Sequence, residues 1–270
     1  MSAAEAGKQV AVLIELRARF DERANIAWAK KLEQSGVHVT YGLPGLKIHA
    51  KLTMVVRRES GRLVRYCHFG TGNYNHGTAR LYGDFGLLTA SEKLGDEVAV
   101  LFNTITGYGG DVSYDDLLVA PAGLRTGLSE LIRREMEAEN GRIIMKMNSL
   151  VDPGMIGLLY EASQAGVQID LLVRGICGLR PGVEGLSENI RVRSVIGKYL
   201  EHARLYYFAN AWGVNEAGVY IGSADLMPRN LDRRVETLVA ISDSGVEEEL
   251  VHSLTLEPVS YTHLTLPTKA

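Results

Sequence analysis

The chain has 270 residues, 46% hydrophobic and 23% charged, enough for one large or two ordinary domains and inconsistent with long disorder. A formal net charge of −3 excludes a surface that attracts polyanions as a whole, so a polyanionic ligand has to be met by a local group of Arg and Lys. Cys67 and Cys177 are far apart and lack CxxC spacing, the start MSAAEAGKQV lacks the pattern of a signal peptide, and no window reaches the roughly 18 apolar residues of a membrane span; the expectation is a soluble, cytoplasmic protein without disulfide framework or zinc site.

In chain order, residues 10–16 (VAVLIEL) read as a central parallel strand. Asp21 is a candidate N-cap for a helix in which Ala24, Ala27, Trp28 and Leu32 recur at helical spacing and which Gly36 closes. A strand at 37–41, a Pro44-Gly45 turn and a strand carrying His49 and Lys51 follow, then a hairpin turn at Glu59-Ser60-Gly61, a strand at 63–69, the polar loop Gly70-Thr71-Gly72-Asn73, a strand at 84–89 and a helix at 98–105. The turn-rich segment 107–116 (GYGGDVSYDD) marks a boundary. Beyond it come an amphipathic helix at 124–138 with Leu124, Leu128, Leu131, Ile132 and Met136 as its apolar stripe, a strand at 143–147, a helix from Asp152-Pro153 to Gln164 and a strand at 167–173. After an insertion at 175–188, a strand at 202–208 carries His202 and Arg204.

The second half repeats the first. AKKLEQSGVHV and LYEASQAGVQI place their glycines 130 positions apart, and His49 and His202 are each followed some 20 to 24 positions later by a small-residue loop, GTGN or GSAD. Such a repeat predicts an α/β fold of two sandwiches around a pseudo-twofold axis, with both histidines in one cleft at the join. In a strand, residues two apart share a face, so His49 would project with Lys51. Two histidines with Lys51 and Arg204 suit phosphoryl chemistry: one imidazole attacks phosphorus, the other handles the proton, and the cations offset charge on the equatorial oxygens. His38, His68 and His76 have no motif partner, and Arg229, Arg233 and Arg234 read either as a solvated face or as the lining of a polyanion channel.

The segments GLKIHAKL, YCHFGTGNYN, TARLYGDFGLLTA, LLVRGICGL, KYLEHARLY and GSADLMPRNLDRR resemble the catalytic part of the polyphosphate kinase family from about Lys8 to Val251. The resemblance implies two phospholipase D-like α/β sandwich domains, 1–112 and 113–258, with the active site at their interface and a foreign tail at 259–270. It implies transfer of the ATP γ-phosphate to inorganic polyphosphate, reversibly, through a phosphohistidine on His49. His202 would be the second active-site histidine, close to the ATP phosphates. Tyr82, Arg174, Lys51 and Arg204 would bind substrate, and Arg19 in RARFDE would belong to a Mg²⁺ and phosphate site, as a phosphate ligand beside the metal. ATP, ADP and polyphosphate are the implied partners and nucleic acid is not; homo-oligomers and peripheral membrane association belong to the full-length family.

The resemblance also implies that the amino-terminal domains, the start of the first catalytic domain and the adenine-binding part of the nucleotide tunnel are absent. Phospholipase D enzymes carry an Asp beyond the Lys of the His-x-Lys motif, where this chain has Val56 and Ala209, and the second copy has Arg204 for Lys. These departures favour the kinase over a phosphodiesterase acting on lipid or nucleic acid. A fragment that folds and binds polyphosphate without turnover is the remaining reading.

Overall fold

The computed structural model describes residues 1–16, 22–107, 112–211, 218–260 and 262–264. In the first half, α1 (Ser2–Glu5) precedes β1 (Ala11–Ile14), α2 (Glu22–Gln34) and β2 (His38–Tyr41), and β1 and β2 pair in parallel. Then come β3 (Lys47–Ile48), the antiparallel hairpin β4 (Lys51–Glu59) and β5 (Arg62–Gly70), β6 (Tyr82–Gly83), β7 (Gly86–Thr89) and α3 (Glu92–Ile105). The second half runs β8 (Leu117–Ala120), α4 (Leu124–Glu137), β9 (Arg142–Met147), α5 (Pro153–Gln164), β10 (Gln168–Val173), β11 (Ile190–Ile196), β12 (Leu200–Glu201), β13 (Arg204–Phe208), β14 (Val219–Gly222), α6 (Pro228–Asp232) and β15 (Arg234–Ile241). It closes with α7 (Ser244–Ser260) and β16 (Thr262–Leu264).

The second half is built on one mixed sheet in the order β16-β11-β10-β9-β13-β14-β15, with β8 also on β15. Its strands are apolar on both faces because both are covered. Ile143, Met145 and Met147 belong to one buried cluster with α4 and α5, while Ile144, between them, belongs to a second cluster with Leu94, Val98 and Leu101 of α3 and Leu250 and Leu254 of α7. The second cluster therefore joins the halves. The predicted stripe of α4 is buried at Leu124, Leu128, Leu131 and Ile132. Asp152 caps α5 by accepting from the Met155 amide at 2.9 Å, and Gly166 ends it at φ 94°. The β4–β5 turn places Ser60 and Gly61 at φ 48° and 82°, the left-handed pair that a tight two-residue hairpin needs.

The structure corrects several expectations. The strand at 10–16 is not central: among the described residues β1 pairs only with β2. Trp28 is 56% exposed, with the Lys31 ammonium over its ring, and the residue that α2 buries is Ala29. The strand expected to carry both His49 and Lys51 is broken at His49-Ala50 and the one expected at 202–208 begins only at Arg204, because the pieces on either side pair with different sheets, and the strand expected at 84–89 begins at Gly86. β11 was not anticipated, its alternating IRVRSVI being masked by three polar residues in seven. Residues 262–264, expected to carry no pattern, pair through their backbone with β11. Asp21 and residues 108–111 of the boundary segment lie outside the described residues.

Candidate active site

The breaks in the two histidine strands are the same device used twice. β3 runs parallel to the start of β15, and the amides of His49 and Ala50 both donate to the Val235 carbonyl, at 2.9 and 3.0 Å. β12 runs parallel to β6, and the amides of His202 and Ala203 both donate to the Gly83 carbonyl, at 3.1 and 3.0 Å. Each histidine segment thus pairs with the other half of the chain, then turns onto its own hairpin. The turn aims each imidazole at the residue after the accepting carbonyl.

Those residues are carboxylates. His49 Nδ1 lies 2.8 Å from Glu236 Oε2, and His202 Nδ1 lies 2.9 Å from Asp84 Oδ1. A hydroxyl supports each: Thr71 donates to Asp84 at 2.7 Å and Ser223 donates to Glu236, while Thr71 Oγ1 and Ser223 Oγ accept from the amides of Phe85 and Thr237. Glu236, with 0% side-chain exposure, also accepts from Asn230 Nδ2 at 2.6 Å. Only donors surround Glu236, so it acts as an acceptor and the His49 proton sits on Nδ1, leaving the Nε2 lone pair outward. Burial would raise Asp84, yet hydrogen bonds from His202 and Thr71 hold it below the usual carboxylate value, so the same tautomer follows at His202. Burial pushes both imidazoles below their ordinary value, against the pull of Glu236 and Asp84, so both are neutral near pH 7.

The cations around these dyads differ in what they touch. Lys51 is 7% exposed, and its Nζ is buried without a hydrogen-bond partner; burial lowers its pKa to about 7. Arg204 binds Asp225 through Nε and Nη2 at 3.1 and 3.2 Å. Arg174 has a buried, unpartnered Nε, and its charge is opposed first by burial and then by Arg204. The Tyr82 ring lies 4.9 Å from that of His202. Arg234 is partly buried in the field of Glu236, whereas Arg229 and Arg233 are exposed. The buried side-chain polar atoms without a partner among the described residues are Lys51 Nζ, Arg174 Nε, Asn148 Oδ1 and Asn230 Oδ1. Asn148 bonds the His202 carbonyl and Asn230 bonds Glu236, so both amides stand beside the two dyads.

The structure thus brings together His49, Lys51, Tyr82, Arg174, His202 and Arg204; Arg19 lies outside the described residues. His68 is bonded to the Tyr74 hydroxyl at 2.7 Å. Sequence reasoning missed Asp84, Glu236 and Asp225. The repeat held the signal, since Asp84 stands 35 positions beyond His49 and Glu236 34 positions beyond His202, each carboxylate in the same place of its own half although it binds the histidine of the other. Among the described residues no group of three His, Cys, Asp or Glu side chains could hold a metal ion, and Asp84, Asp225 and Glu236 are each committed to a histidine or arginine. This donor set does not fit a Mg²⁺ ligated by the protein.

Two α/β halves, each lending a histidine to one site, make a phospholipase D-like fold. The fold is shared with phosphatidylserine synthase of Haemophilus influenzae, at 9% identity and TM-score 0.53 over 97% of this chain and 83% of that one. Family models described as polyphosphate kinase C-terminal domain 1 and domain 2 match residues 1–111 and 117–259. Polyphosphate kinase 1 of Chlorobaculum tepidum is 58% identical over 261 residues, 95% of this chain and 37% of that protein. A polyphosphate kinase of Mycolicibacterium paratuberculosis is 57% identical over 93% of this chain and 34% of its own length. The crystal structure of polyphosphate kinase from Porphyromonas gingivalis superposes with TM-score 0.85 at 38% identity, covering 95% of this chain and 39% of that one. The chain belongs to the polyphosphate kinase family, and it spans about a third of the length of these curated relatives.

Proposed function

We propose that this chain carries the phosphotransfer site of an ATP:polyphosphate kinase, with His49 as the nucleophile. The observation that supports it best is the contrast around His49: Nδ1 is bound to Glu236, the side chain remains 21% exposed, and Lys51 Nζ beside it lacks a hydrogen-bond partner among the described residues. The Nε2 lone pair attacks the γ-phosphorus of ATP, the bond to the bridging oxygen breaks, and ADP leaves with that electron pair. A terminal oxygen of polyphosphate then attacks the phosphoramidate, and the N–P bond breaks back to neutral His49. Phosphoanhydride replaces phosphoanhydride, so the transfer runs both ways. Lys51, Arg174 and Arg234 offset charge on the phosphate oxygens, and Tyr82 lies on the nucleotide side. His202 Nε2 gains proton affinity when the phosphates arrive and delivers its proton to the leaving oxygen.

Domains at 1–112 and 113–258, a foreign tail at 259–270 and a cytoplasmic setting are part of the same reading; no helix among the described residues is long and apolar enough to cross a membrane. Incubation with γ-labelled ATP and Mg²⁺ tests it. The expected result is an acid-labile, base-stable label on the wild-type chain and none on His49→Ala. Label absent from both, with polyphosphate still bound, identifies a binding fragment; hydrolysis of a generic phosphodiester identifies a phosphodiesterase.

A further inference from the structure

The two dyads match residue for residue, yet their cations do not. Lys51 and Arg204 each stand two residues after a histidine and pair in register with the first glycine of the small-residue loop, Gly70 or Gly222. Among the described residues nothing accepts a hydrogen bond from Lys51 Nζ. Around Arg204 nearly every donor is engaged: Nε and Nη2 on the two oxygens of Asp225, and Nη1 on the carbonyls of His202 at 2.7 Å and Thr71 at 3.4 Å. Asp225 is held in turn by the Asn148 amide at 2.8 Å. At the corresponding place of the first loop stands Asn73, which is exposed. Arg204 Nη1 also lies 3.3 and 3.2 Å from the two ring nitrogens of His202. Near-equal distances put the guanidinium against the ring, not in line with either lone pair.

We propose that Arg204, clamped by Asp225, is a positioning residue that holds His202 and keeps it neutral, not a substrate-binding cation, and that this clamp separates the roles of the two otherwise equivalent halves. The functional part of the inference rests on the phosphotransfer reading. A guanidinium with its donors committed cannot reorganise around an incoming phosphate, whereas a free ammonium can. The charged groups facing His202 are Asp84, which favours its protonated form, and Arg204 and Lys51, which oppose it; Tyr82 packs on the ring without charge. With Arg204 removed, Asp84 faces one opposing cation instead of two, so His202 binds a proton more readily.

The test is an NMR titration of the His202 ring in the full chain, with tripolyphosphate affinity measured in parallel. Arg204→Gln strands a buried Asp225, so the double variant Arg204→Gln with Asp225→Asn, which leaves no unpaired charge, is the second arm. Both variants are expected to raise the His202 midpoint by about half a pH unit or more. Tripolyphosphate affinity should stay within about two-fold in the double variant and fall about ten-fold or more in Lys51→Met. Where turnover is measured, kcat falls and KM for ATP stays within about two-fold. An unmoved His202 midpoint, or a ten-fold loss of tripolyphosphate affinity in the double variant, overturns the proposal. A chain that fails to bind tripolyphosphate at all defeats the phosphotransfer reading instead, and the His202 titration still decides the role of Arg204.

Discussion

Lys51 is where stability and function oppose each other most directly. Its folded pKa of about 7 lies below the ordinary value of 10.5. Between those values the unfolded chain binds the proton and the folded chain does not, so stability rises with pH across that window. Below it the fold carries a buried, unpaired ammonium, a penalty of up to about 5 kcal/mol. Lys51→Met is therefore expected to stabilise the protein by about 2–4 kcal/mol at pH 6, with the gain shrinking toward pH 10, while tripolyphosphate affinity falls. Urea titrations at the two pH values measure it, and a destabilised variant at pH 6 would refute it. The histidines act with the same sign: with folded pKa values lowered, each loses stability as pH falls through the unfolded value of about 6.5. Sequence pattern identified His49, Lys51, His202 and Arg204, because a repeated spacing is visible along the chain. It did not identify Glu236 or Asp84, because a carboxylate that orients a histidine is recognised by a hydrogen bond across 187 or 118 residues.

At the scale of the element, α5 depends on one residue for both its start and its anchorage. Asp152 accepts from the Met155 amide and binds Arg125 of α4 through both oxygens, at 2.8 and 2.9 Å, while Arg125 also reaches Asp232 of α6. The paired Arg125 guanidinium holds the Asp152 carboxyl below its usual value, so this contribution is present above the ordinary aspartate pKa and is lost as pH falls through the lowered one. Asp152→Ala should cost about 2–3 kcal/mol at pH 7, and Asp152→Asn, which keeps an acceptor for the cap, less. Equal losses would mean that the ion pair, not the cap, carries the effect. The caps, the closing glycines and the stripe of α4 were legible because they are set by residues within a turn of each other. Trp28 misled for the opposite reason, since helical spacing gives a face but not what covers it.

In the whole molecule, the halves are joined by exchange. β3 pairs with β15, β12 pairs with β6, and each histidine depends on a carboxylate from the other half. Cys67 and Phe69 of β5 and the apolar face of α3, all from the first half, share one core with residues of the second. The amides of His49, Ala50, His202 and Ala203 should therefore exchange with solvent together and at the rate of global unfolding. A pair from one half exchanging much faster would show that the halves open separately. Leu101→Ala, in the shared core, should cost about 2–5 kcal/mol and accelerate all four amides alike.

The amino-acid sequence alone determined the order of helices and strands over most of the chain, the twofold repeat and the histidine and cation of each copy, because propensity, periodicity and spacing act between near neighbours. Only the tertiary structure decided where the histidine strands break, which carboxylate fixes each imidazole, and that Asp225 captures Arg204 while Lys51 stays free. Those outcomes depend on which backbone carbonyl and which side chain arrive opposite a residue once two distant stretches have packed, and no local pattern encodes that meeting.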